Sequence, residues 1–196
     1  MLLFDPAPPP LLEPPEYLRR SLEVVSTVGA GVAEGQVRSE TGSVGSELAL
    51  FGFYRPSPYF AAGAGVRWNA FPAWPTGVGG GARFAGAAGR LYFLESGASE
   101  PYLGLEVGVS SLRLDDDGGW SSSDLAGAAR GSVGVDFYLG AQTRLGPSFG
   151  YTRYTYGRVE RCAGYRCQSL DSGRGDLPSG VVSLGINLTF GAGDPL

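Results

Sequence analysis

Nineteen carboxylates and fifteen arginines carry all the side-chain charge of this 196-residue chain, and they bound its chemistry. There is no His and no Lys. Ser/His and Cys/His nucleophile–base pairs are therefore absent, as are Schiff-base lysines and the phosphate-gripping Lys of a P-loop. What remains for acid/base work is paired carboxylates. Glu106 and Asp136 fall on neighbouring predicted strands and face the same side. Cys162 and Cys167, with four residues between them, suit a local disulfide in an oxidising compartment. A free thiol pair is the plainer alternative, and a metal would need ligands beyond these two. Asp115-Asp116-Asp117-Gly118 opens like a calcium loop, but Ala126 stands where the bidentate Glu belongs. The segment reads as a solvated acidic loop. No metal and no cofactor is assigned. A net charge of −4 argues against nucleic acid as a partner.

The elements that position these groups have a period of two. Glycine supplies 33 residues and charged residues only 17%, and no apolar run reaches the length of a membrane helix. Predicted strands cover Ser21–Glu34, Ser43–Tyr54, Tyr59–Asn69, Gly77–Glu95, Tyr102–Leu114, Ala126–Leu139, Thr143–Arg158 and Val181–Phe190. Along Tyr59–Asn69, for example, Phe60, Ala62, Ala64, Val66 and Trp68 alternate with Gly63, Gly65, Arg67 and Asn69. Gly77–Glu95 changes phase between Phe84 and Leu91, which a β-bulge near Gly86–Gly89 would reconcile. Short connections at Arg55–Pro58, Ser96–Glu100 and Gly140–Gln142 alternate with mostly longer ones at Gly35–Gly42, Phe71–Thr76, Asp115–Leu125 and Val159–Pro178. Eight strands with short turns at one rim and long loops at the other predict an all-β, antiparallel, up-and-down transmembrane β-barrel. Aromatics at strand ends, including Tyr54, Phe60, Trp68, Phe71, Tyr92, Tyr102, Tyr138, Tyr151, Tyr154 and Phe190, are expected to form two interfacial girdles.

The final strand carries the most specific pattern. Val182, Leu184, Ile186, Leu188 and Phe190 share one face, and Ser183, Gly185 and Asn187 the other. Ser183, Gly185, Leu188 and Phe190 resemble the C-terminal assembly signal of bacterial outer-membrane barrels, although Gly191–Leu196 follow the aromatic here. Over Ser21–Phe190 the chain is similar to small barrels of the OmpA/OmpX type. That resemblance implies an outer-membrane location with periplasmic termini. It also implies contact with outer-membrane lipid and lipopolysaccharide, handling by the barrel assembly machinery, and a monomer. Enzymes of this architecture rely on a His that the chain lacks, so no activity is expected.

Residues 1–20, rich in Pro, form an expected N-terminal periplasmic arm, 21–190 the barrel and 191–196 a short tail. The non-apolar faces are mostly Gly, Ser, Thr and Asn with isolated charges, which suits a narrow interior. Candidate interior charges are Glu23, Glu47, Arg67, Arg83 or Arg90, Glu106, Arg130 and Asp136. Buried charges must pair. Bridges across the lumen are therefore expected, with Arg67 and Arg130 meeting Glu47, Glu106 and Asp136. Such a lumen is plugged, leaving a structural role or a surface partner met through the loops, with the Pro-rich arm the candidate contact for a periplasmic protein partner. The alternatives are a narrow channel for ions or small molecules and, of opposite polarity, a soluble lipocalin-like barrel. Arg174-Gly175-Asp176, an adhesive-type tripeptide, lies in the longest loop; so short a match arises easily by chance, and the segment reads as a solvated turn.

Overall fold

Alternation of small or polar with apolar residues makes each segment a strand with two unlike faces, and closing the sheet puts the small face inside. In the computed structural model, residues 21–34, 44–71, 79–93, 99–116, 119–140, 142–156, 158–163, 166–171 and 179–192 are described. The expected N-terminal arm, the Arg174-Gly175-Asp176 tripeptide and the side chains of Asp115–Asp117 lie outside them.

The strands are β1 (Ser21–Glu34), β2 (Val44–Ser57), β3 (Phe60–Phe71), β4 (Gly79–Tyr92), β5 (Ser99–Asp116), β6 (Gly119–Tyr138), β7 (Thr143–Tyr156), β8 (Arg158–Ala163), β9 (Arg166–Asp171) and β10 (Gly180–Ala192). β1 to β7 pair in sequence, β7 pairs with β10, and β10 returns to β1, which closes an eight-stranded antiparallel barrel. Following pairing partners from Val24 through Gly52, Ala64, Ala87, Val107, Ala129, Arg153 and Gly180 ends at Glu34, back on β1 ten residues further on. Ten residues of stagger over eight strands fix a strand tilt of about 40°.

The outer surface carries the apolar set, including Leu22, Val28, Leu48, Leu105, Leu184 and Ile186. With that tilt, the band from Phe190 and Phe137 up to Trp68 is about 20 Å tall, close to what an outer-membrane hydrocarbon layer requires.

Several expectations are corrected. β4 runs without a bulge: its pairing with β3 and β5 is continuous, so Phe84 points inward and Leu91 outward. Phe84 fits inside because it rests against Phe51 (ring centroids 6.5 Å apart) and because the neighbouring inward positions, Gly65 and Gly86, have no side chain to oppose these rings. The register shifts occur instead between Ser110 and Leu112 on β5 and between Tyr54 and Ser57 on β2. Of the expected girdle, Phe71, Tyr92, Tyr102 and Tyr154 are buried in the barrel, where rings stack on guanidinium groups and on each other. The segments expected as loops at Asp115–Leu125 and Val159–Pro178 contain strand. β5 and β6 stay paired beyond the barrel as far as Asp116 and Gly119, and β8 pairs with the extension of β6 while β9 pairs with β8.

Candidate functional site

Among the described residues, the lumen holds ten ionisable charges in two separate groups. The first group comes from the inward positions of β2, β3, β5 and β6. Arg67 on β3 bridges Glu47 at 2.5 Å and Glu106 at 2.6 Å. Arg130 on β6 reaches Glu47 at 3.4 Å and Glu106 at 3.7 Å. Its Nη1 also donates to Ser183 Oγ at 2.7 Å and Thr152 Oγ1 at 3.2 Å. Two cations and two anions thus cancel. Arg130 lies flat against β7 because Gly150 leaves its guanidinium that space.

The second group sits at the end where β1 begins and β10 finishes. Arg55 pairs with Glu100 at 3.0 Å and Glu23 at 3.6 Å. Arg144 pairs with the same two carboxylates, each at 2.6 Å. Arg90 approaches Asp136 at 3.7 Å. Three cations again face three anions. Tyr92 supports this layer, with Arg55 stacked over its ring at 4.0 Å, and Tyr102 lies beneath Arg90 at 4.4 Å. The stagger of the strands places the two layers about 15 Å apart along the axis.

An uncharged layer fills the gap. Thr27 donates to Asn187 Oδ1 at 2.8 Å, Ser148 donates to the same oxygen at 3.3 Å, and Asn187 Nδ2 donates to the Tyr102 hydroxyl at 2.5 Å. Phe51 and Phe53 stack within the barrel beside it.

The structure therefore brings Glu47, Arg67, Glu106 and Arg130 together but sets Asp136 apart, in the other layer with Arg90. Glu106 and Asp136 consequently do not form a carboxylate dyad. Of Arg83 and Arg90, Arg90 is the buried one and Arg83 is exposed on the outer wall. Sequence reasoning missed Arg55, Glu100 and Arg144. It ended β2 at Tyr54 and began β5 at Tyr102, which left Arg55 and Glu100 in turns. Their parity was the available signal: Arg55 continues the inward row of Phe51 and Phe53, and Glu100 that of Tyr102.

In the last strand, Ser183 and Gly185 face the lumen, while Leu188 and Phe190 face outward. Gly185 is the pairing partner of Gly29, and a Cβ on Gly29 would run into the Leu184 carbonyl. Cys162 and Cys167 are cross-strand partners on β8 and β9, joined by a disulfide. Among the described residues, no group of three His, Cys, Asp or Glu side chains could hold a metal ion.

No known protein family and no curated protein sequence matches the chain. Solved structures do. Neisserial surface protein A superposes with a TM-score of 0.59 at 12% identity, covering 87% of this chain and 96% of that one. The fold is that of a small outer-membrane β-barrel. A major outer membrane protein from Thermus thermophilus gives a TM-score of 0.54 at 16% identity, over 87% of this chain and 99% of that one. The outer membrane protein OprG from Pseudomonas aeruginosa gives 0.53 at 13%, over 90% and 99%. At these identities the likeness concerns architecture, so function has to be argued from the residues of this chain.

Proposed function

We propose that this protein is a closed outer-membrane barrel that acts as a structural or surface-interaction protein. Its termini face the periplasm, and the rim built from β5, β6, β8 and β9 makes the contacts. The observation that carries the reading is the pair of neutral ion-pair layers, each spanning a lumen only wide enough for side chains. A conducting path would need wet, separated charges, whereas these are buried and paired. The rim favours surface contact: β5 and β6 project past the barrel, and a disulfide staples the β8–β9 hairpin beside them. The long-loop rim belongs outside the cell because a disulfide suits an oxidising compartment and because the short turns and termini share the opposite end. The test is conductance in planar bilayers of protein shown folded by a heat-shifted band in SDS. Silence is expected. Discrete, reproducible current steps would replace this reading with a channel.

A further inference from the structure

Among the described residues the outer wall of the barrel bears three arginines, Arg83, Arg113 and Arg153, and all three lie at the long-loop end of their strands. At the other end the outward positions are apolar or aromatic: Tyr54, Phe60, Phe93, Phe137 and Phe190. Arg113 stands over the Trp120 ring at 5.4 Å, above the barrel proper. Arg83 and Arg153 stand at about the same height, at the upper edge of the apolar band. Among the described residues no carboxylate pairs with Arg83.

What lies beneath these two arginines differs. Below Arg153 the outward row of β7 is bulky: Tyr151, Phe149, Pro147 and Leu145. Below Arg83 the outward row of β4 is Ala85, Ala87 and Gly89, closed at its foot by Leu91. There an apolar groove of about 340 Å³ opens on the lipid-facing side, bounded by Phe60, Ala87, Leu91, Leu103, Leu105 and Val107. Packing within the protein does not require Gly89. A Cβ there would meet only the Ala61 carbonyl and the Phe60 ring, both at 3.8 Å, an ordinary contact. Trp68 is the cross-strand partner of Arg83, so an indole flanks the guanidinium at the polar boundary.

We propose that this groove seats one acyl chain of an anionic phospholipid, with Arg83 gripping the phosphate. The guanidinium fork matches phosphate oxygens, and the groove lies below it along the strand as a chain would hang from that headgroup. The site rests on the reading that the barrel spans a membrane.

The test uses Trp68 as its probe. Replacing Trp74 and Trp120 with Phe leaves Trp68 as the sole indole. Full-length protein is refolded into phosphatidylcholine vesicles and titrated with phosphatidylglycerol brominated high on its acyl chains, or with phosphatidylcholine brominated likewise. Phosphatidylglycerol is expected to quench Trp68 at several-fold lower mole fraction. That preference should weaken in high salt and vanish in Arg83→Gln and in Gly89→Leu, while Arg153→Gln keeps it. Equal quenching by the two lipids, or equal loss in Arg83→Gln and Arg153→Gln, overturns the site. So does displacement by inorganic phosphate together with an unaffected Gly89→Leu, which would reduce it to a bare anion contact. Absence of a heat-shifted folded band would overturn the membrane reading and the site with it; a folded band with equal quenching overturns the site alone.

Discussion

Glu47 is the residue on which the upper ion-pair layer turns, because both Arg67 and Arg130 lean on it. Replacing it with Leu leaves two buried guanidinium groups sharing Glu106. Stranding a buried charge in this way costs about 3–5 kcal/mol. Glu47→Leu should therefore lower the urea midpoint at which the heat-shifted band is lost by far more than Arg153→Gln, whose guanidinium is exposed on the outer wall. The midpoint read on gels over a urea series decides it. The charges themselves were legible in the sequence, since parity along each strand separates inward from outward. Their partners were not. Parity gives a side of the wall but not a height, and height depends on the stagger between strands, which the sequence does not print. Asp136 illustrates this: it has the parity of Arg130 on the same strand, yet sits six residues lower and belongs to another layer.

Among the elements, the contact between β1 and β10 has little tolerance. Gly29 and Gly185 face each other there, and a methyl on Gly29 meets backbone, which cannot swing aside. Gly29→Ala is expected to reduce the fraction of chains that refold, read as a weaker folded band. Gly131→Ala, at a position with open space around it, should leave that fraction unchanged. The β8–β9 hairpin behaves differently, because its disulfide closes only a small loop outside the barrel. Reduction should open 158–171 to protease while the folded band persists, with mass spectrometry of the fragments as the readout. Strand interiors such as those of β1, β3 and β5 were readable from their alternation. Strand ends were not. The tyrosines that look like girdle residues at β4 and β5 turn inward to lie against Arg55 and Arg90; position at a strand end suggested a girdle, whereas the parity they share with Arg90 and Glu100 was the better signal.

For the molecule as a whole, the proposed closed lumen has two layers in series, and emptying one of them is expected to leave the barrel shut. A variant with Glu47, Arg67, Glu106 and Arg130 all changed to Ala should remain silent in bilayers if it folds, because Arg55, Glu100 and Arg144 still cross the other end. Current from that single-layer variant would show that the lower layer does not seal. The closing pair of strands has one more consequence. β1 is the first strand described and β10 the last, so Ser26 donates to the Leu188 carbonyl across 162 residues of chain. A ribosome or an export channel delivers Ser26 long before Leu188 exists. During that interval every intermediate is an open sheet with two raw edges and a greasy face, the species most prone to associate with its neighbours. Closure thus waits for β10 to meet β1, a pairing of very high sequence separation that belongs at the slow end of folding rates.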